Sequence, residues 1–286
     1  MSKVFDLIRW RSVLFVVFAM YMTRYFIMQP ILEVNNFSLQ MSGMDFSMLV
    51  WAICCMIASK NTTLHCVLNA VALGILFWLS YSVGLWRIGL LFFMASGMLW
   101  FYISSYRRMF VVGNIIIALL AALVLFCPVI FEIPLLNKKY YDILSFTSTN
   151  FIYILKWIAV FAGFVFLPVW MYEINRDLYT IDEDRDNYVE SMPIVLGERK
   201  AKYFISLLVV IVIAGFAVVY KEFFAGYGKA LYYMIFALLL PYIVYIYVIF
   251  KKNSRKLQLF LIQAMIVLTI SFSFLLGDFF SKIFEI

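Results

Sequence analysis

The chain is predicted to fold as an all-α polytopic membrane protein with about nine transmembrane helices, and three observations predict it. Of 286 residues, 66% are hydrophobic and 20% aromatic, with a mean hydropathy of +0.98, which is more apolar surface than a soluble domain of this size can hide. The apolar residues gather in runs of the length, about 20 residues, that a helix needs to cross a bilayer. The sequence also lacks the ten-residue alternating segments, separated by turns, that mark a membrane barrel.

The runs fall near 12–32, 44–58, 64–84, 88–104, 109–131, 150–173, 203–220, 229–250 and 257–280. Lys3, Arg9 and Arg11 precede the first, which has no small-residue cleavage site and continues to Leu32, so it reads as a span and not as a secretory signal. Arg24 lies inside that run, is costly there unless paired or snorkelling, and is taken to mark the outer boundary. The second run is stunted and joins the third through Ser59-Lys60-Asn61-Thr62-Thr63. His65, at the start of the third, has neither a pair of cysteines nor a pair of carboxylates beside it and reads as an interfacial residue. At the head of the fifth run, Gly113-Asn114 could offer either a helix cap or an amide to a cavity. Lys156, in the sixth, is expected to snorkel outward.

After the sixth run comes a polar connection ending Ser191-Met192-Pro193-Ile194-Val195-Leu196-Gly197-Glu198-Arg199-Lys200-Ala201. Pro193 should terminate any helix before it, and Gly197 permits the turn into the seventh run. Nothing outside the runs is large enough for a second domain, so residues 1–286 read as one domain, without internal repeats. Cys54, Cys55, Cys66 and Cys127 lie in or beside apolar runs, where they serve as small hydrophobes with neither metal spacing nor a disulfide framework.

The formal charge of +7 does not point to nucleic acid, because the cations sit between apolar runs and form no single basic face. Assigned to alternate sides, fifteen Lys and Arg residues fall with the amino terminus and six on the other side, with Arg24 and Lys156 inside runs. By the positive-inside rule the amino terminus is cytoplasmic, and so is the end of the sixth run.

That end carries Tyr172-Glu173-Ile174-Asn175-Arg176-Asp177-Leu178-Tyr179-Thr180-Ile181-Asp182-Glu183-Asp184-Arg185-Asp186, a burst of charge in a chain that is only 14% charged. On a continuing helix Asp177 and Asp184, seven residues apart, share one face. Paired carboxylates suit a hard cation such as Mg2+, which keeps several waters and bridges to substrate phosphates. The plainer alternative is a solvated helix end whose acids pair with Arg176 or Arg185.

Glu173-Ile174-Asn175-Arg176-Asp177, Asp182-Glu183-Asp184-Arg185 and Met192-Pro193-Ile194-Val195-Leu196-Gly197 resemble the second aspartate-rich motif of the UbiA family of intramembrane prenyltransferases. Leu7-Ile8-Arg9 is similar to the entry into the family's first span. Leu99-Trp100-Phe101-Tyr102-Ile103-Ser104-Ser105-Tyr106-Arg107-Arg108, followed by Gly113-Asn114, is similar to its connection between the fourth and fifth spans. The resemblance implies nine helices around a central cavity in the cell inner membrane. It further implies Mg2+-dependent transfer of a polyprenyl group from a prenyl diphosphate to an aromatic, quinone-precursor or glycerol-phosphate acceptor. Carried onto this sequence, Asp177 and Asp184 would hold the metal, Glu173 and Asn175 would support them, and Arg107 and Arg108 would pair with the diphosphate.

Three departures accompany the match. Thr180 stands where many members have a further acid and Glu183 where a glycine is common. The family's first aspartate-rich motif is missing, since no Asp or Glu occurs between Trp51 and Leu68. The missing motif motivates a second expectation, a catalytically impaired member that binds isoprenoid lipid or serves as a membrane assembly partner. A small-molecule transporter would instead place ionisable residues near mid-membrane, whereas these acids gather at one end of a run.

Overall fold

The computed structural model describes residues 9–59, 61–104, 109–142, 144, 151–186, 189–251 and 255–284, and the described residues form helices and connections without strands. In chain order the helices are α1 (Trp10–Val34), α2 (Gly43–Ala58), α3 (Thr62–Ser82), α4 (Arg87–Ser104), α5 (Val112–Lys139), α6 (Ile152–Tyr179), α7 (Ile181–Asp186), α8 (Met192–Leu196), α9 (Glu198–Phe223), α10 (Gly228–Ile249), α11 (Arg255–Ser271) and α12 (Phe274–Phe284). Seven helical stretches among the described residues are long and apolar enough to cross a membrane: α1, α5, α6, α9, α10, residues Thr63–Ser82 of α3, and Arg255–Gly277, which continues α11 into α12. Two apolar helices are shorter, Gly43–Ala58 and Arg87–Tyr102, at the second and fourth expected runs. The chain is an integral membrane protein, and every run read from the sequence corresponds to a helix.

The helices cluster into two compact units, one made of Met1–Trp100, Leu123–Val160 and Leu276–Ile286, the other of Phe101–Ala122 and Phe161–Leu275. In the first unit α2 begins at a reciprocal cap, where Ser42 Oγ accepts the Asp45 N–H at 3.0 Å and donates to the Asp45 carboxylate at 2.7 Å. It ends at Ala58, whose carbonyl accepts the Arg9 N–H at 2.7 Å. Ser59 Oγ then accepts the Asn61 N–H at 3.1 Å, and Asn61 Oδ1 caps α3 by accepting from Thr63 and Leu64 at 3.0 and 3.3 Å. The link between α2 and α3 is therefore closed by its own hydrogen bonds and carries no carboxylate. Near the far end of the same hairpin system α3 approaches α4 closely: a Cβ on Gly89 would lie 2.5 Å from the Phe77 ring.

A π-helical turn at Thr23–Met28 interrupts α1, and the Thr23 hydroxyl donates to the Ala19 carbonyl at 2.9 Å. Arg24 lies in that turn and is buried. Its guanidinium donates to the Met41 carbonyl at 2.5 Å and sits 4.4 Å over the Phe46 ring. The Met41 N–H in turn donates to both oxygens of buried Glu132 on α5 at 3.2 Å, and the Gln40 N–H also donates to that carboxylate. The carbonyl and the ring offset part of the cost of burying Arg24, and the backbone of Met41 is held between opposite charges, its C=O on Arg24 and its N–H on Glu132.

In the second unit α6 packs its lower half against α9 and α11. Phe164 stacks on Phe216 with centroids 4.6 Å apart, Trp170 meets Phe204 edge-on at 5.4 Å, and Gln263 donates to the Tyr172 hydroxyl at 3.3 Å. In an apolar solvent such packing and interhelical hydrogen bonding, more than hydrophobic burial, hold helices together. After α6, Pro193 occupies the first turn of the short helix α8, as its lack of an N–H allows. Gly197 takes φ +87°, which turns the chain directly into α9.

Candidate functional site

The charged end of α6 lies wholly within the second unit. Spaced at 100° per residue, Glu173, Arg176, Asp177, Thr180 and Asp184 fall on one stripe, whereas Asn175 lies on the opposite side from Asp177. The helix does not run on unbroken. It stops at Tyr179, Thr180 forms a bend, and α7 starts at Ile181. Two backbone bonds carry the helical register across the bend, from Thr180 N–H to Arg176 at 3.0 Å and from Asp184 N–H to Thr180 at 2.8 Å. The stripe therefore survives the break.

Asp177 is only 7% exposed, and its two oxygens have different partners. Oδ2 accepts the Asn114 amide of α5 at 2.8 Å, and Oδ1 lies 3.4 Å from the Arg176 guanidinium. Arg176 also pairs with buried Glu173 at 2.5 Å and is hydrogen-bonded by the Tyr102 side chain of α4. Two buried carboxylates and one half-buried guanidinium leave the cluster one negative charge in excess. Asp184 is half-buried, accepts the Thr180 hydroxyl at 3.0 Å, and lies close enough for its charge to act on Asp177. Asp182, Glu183, Arg185 and Asp186 are exposed.

The structure thus brings Asp177 and Asp184 together and seats Glu173 beside them through Arg176. Asn175 is buried, with neither amide atom hydrogen-bonded, and is not drawn into the cluster. Arg107 and Arg108 lie outside the described residues. Two participants, Tyr102 and Thr180, had no role in the sequence reading, and Arg176 entered it only as an ion-pair partner of a solvated helix end. Arg176 carries a visible signal, since it stands three residues after Glu173 and next to Asp177, a spacing that places a cation between two acids. Asn114, read from sequence as a cap or a cavity amide, is neither exposed nor a cap; it is the donor that orients Asp177.

Among the described residues no three His, Cys, Asp or Glu side chains converge as a metal cage. The donor set still suits one Mg2+ ion. Asp177 and Asp184 each offer hard oxygens whose lone pairs exceed the hydrogen bonds they receive, and Mg2+ commonly takes one or two carboxylates with the rest of its shell supplied by water and phosphate.

No family model matches the chain, and no curated protein matches it either. Among solved structures it is similar to that of a digeranylgeranylglyceryl phosphate synthase in membranes, with 16% sequence identity and a TM-score of 0.56, over 92% of this chain and 99% of that one. At that identity the likeness establishes a shared all-α membrane fold.

Proposed function

We propose that the chain is a UbiA-type prenyltransferase of the cell inner membrane, with a cytoplasmic amino terminus, that transfers a polyprenyl group from its diphosphate to an aromatic, quinone-precursor or glycerol-phosphate acceptor. The observation that carries this reading is the buried, amide-held Asp177 beside Asp184, in a fold shared with a digeranylgeranylglyceryl phosphate synthase. Ionisation of an allylic diphosphate breaks the C–O bond, with the electron pair leaving on the diphosphate and positive charge on the allylic carbon. A site for it must hold the leaving anion and shelter the cation. When bound by Asp177 and Asp184, Mg2+ would supply charge neutralisation for the diphosphate oxygens.

The remaining groups act on those carboxylates and on the anion. Asn114 fixes the rotamer of Asp177. Arg176 compensates the charge of Asp177 and Glu173 until a metal arrives, so that neither is an isolated buried ion. Arg107 and Arg108, on the connection after α4, are assigned to the diphosphate, for which the guanidinium fork is shaped. The test is thermal protection of the purified protein by a prenyl diphosphate. Protection is expected only with Mg2+ and is lost in Asp177→Asn; unchanged protection in that variant removes the residue from the site.

A second reading has its own observation. The sequence between α2 and α3, Ser59-Lys60-Asn61, has no carboxylate, so it offers no acid for a second metal ion. Losing one of two ions costs several kcal/mol of transition-state stabilisation, on the order of 1,000-fold in rate. The alternative is a chain that binds isoprenoid lipid, or partners another membrane protein, with little turnover. Incubation with labelled prenyl diphosphates and candidate acceptors separates the two, because prenylated product excludes it.

A further inference from the structure

Near the end of α6 one half-buried cation stands by two buried acids and is not shared equally between them. Arg176 Nη1 is 2.5 Å from Glu173 Oε2, whereas its Nη2 is 3.4 Å from Asp177 Oδ1. The second distance lies past the range of a good N–H···O bond, so the guanidinium is held by Glu173 and only borders Asp177. Helix geometry dictates this division. Residues three apart lie on one face and side chains lean toward the helix start, so Arg176 reaches back over Glu173, while its sequence neighbour Asp177 is turned about 100° away. The Tyr102 side chain of α4 holds the same guanidinium by a further hydrogen bond, and Arg176 stands in the last turn of α6, where the helix dipole favours a cation.

Asp177 is divided in the complementary way. Asn114 holds Oδ2 at 2.8 Å, and Oδ1 is left with the loose contact to Arg176. Oδ1 is therefore the oxygen with capacity for a cation, and the guanidinium beside it is the group that a cation must outcompete. A divalent cation and a guanidinium repel one another at a shared oxygen, the more so at a buried one. How open Oδ1 is depends on how firmly Arg176 is kept elsewhere.

We propose that Glu173 is a positioning residue and not a metal ligand: it retains Arg176 and so keeps Asp177 Oδ1 open to a divalent cation. The inference rests on the reading of Asp177 as a metal ligand and adds the means by which a neighbouring cation is kept from blocking it. Without the Glu173 carboxylate, Asp177 is the acid left beside Arg176, and the guanidinium closes on Oδ1 as a counterion that Mg2+ must displace. The contact at stake is a hydrogen bond to a charged group, which corresponds to about 10- to 100-fold in the Mg2+ concentration required.

The test is a double-mutant cycle on the detergent-purified full chain, read as the Mg2+ concentration for half-maximal thermal protection at a fixed prenyl diphosphate concentration. Glu173→Gln should raise that concentration about 10- to 100-fold, and adding Arg176→Gln to it should return the value to within about threefold of the parent. Arg176→Gln should lower the concentration at least about tenfold more in the Glu173→Gln background than in the parent. A double variant as weak as Glu173→Gln makes Glu173 a ligand in its own right and overturns the proposal; this comparison does not need Arg176→Gln alone to fold. Equal effects of Arg176→Gln in the two backgrounds reduce Glu173 to a distant charge and overturn it as well. A Glu173→Gln protein that melts lower but keeps the parent's half-saturation point has lost only a structural contact, and that result also overturns it. Asp177→Asn separates these failures from failure of the underlying reading: an unchanged Mg2+ titration in that variant overturns the metal site itself, whereas the cycle overturns only the role of Glu173.

Discussion

Replacing Asn114 tests whether the amide that holds Asp177 matters to a bound cation. The amide lies 2.8 Å from Oδ2 of a carboxylate that is 7% exposed, so water cannot readily take its place. A hydrogen bond to a charged group contributes about 1.5–3 kcal/mol, or roughly 10- to 100-fold in an equilibrium constant, which is also the usual effect of removing a partner that orients a metal ligand. Asn114→Ala should therefore raise the Mg2+ concentration for half-maximal protection by a prenyl diphosphate about 10- to 100-fold. Asn114→Asp should act in the opposite direction on the metal, because a second carboxylate beside Asp177 attracts a divalent cation. Without metal the same variant should melt at lower temperature than the parent, since two buried like charges repel. The assay is a thermal melt titrated with Mg2+ at fixed prenyl diphosphate. If both variants keep the parent's half-saturation point, Asp177 is not a ligand and the reasoning fails.

Arg176→Ala strands Glu173 and Asp177 without their shared cation, and should cost about 3–5 kcal/mol of stability in the metal-free protein, read as a lowered melting temperature that Mg2+ with a prenyl diphosphate partly restores. Asp182→Asn, an exposed change on α7, should move the melting temperature by less than the equivalent of about 0.5 kcal/mol and leave the Mg2+ titration in place. Glu132→Ala removes the acceptor of the Met41 N–H and leaves Arg24 buried with less compensation. It should destabilise by about 3–5 kcal/mol, and the double replacement with Arg24→Leu should cost less than the single one. A double variant no better than Glu132→Ala would show that the two groups act independently.

Much of this architecture could be read from sequence because span length and hydropathy are local properties. The sixth run, 150–173, which falls on α6, and the turn at Gly197 are examples. What could not be read depends on partners remote in the chain. Asn114 and Asp177 are 63 residues apart, and no spacing rule joins them. Arg176 could be read as an ion-pair partner of the acids, but the sequence placed that pairing in solvent, whereas Glu173 and Asp177 are buried. His65 reads as interfacial because its neighbours on α3 include no charged group. The hydroxyl that completes its environment comes from Ser96, on another helix. Arg24 was legible only as a cost; the means of meeting it, a backbone carbonyl and a carboxylate on α5, required the fold. The bend at Thr180 also went unforeseen, since Thr is tolerated inside helices and its hydroxyl instead finds Asp184.

The hairpin between α2 and α3 has a practical corollary. Each end of its three-residue link is already tied, by Arg9 at Ala58 and by the Asn61 cap at Thr63, so new residues spliced between those knots would extend outward without unravelling either helix. That makes the bend a natural graft point: an acid-bearing loop inserted there would ask whether this scaffold gains turnover when given a second metal-binding arm.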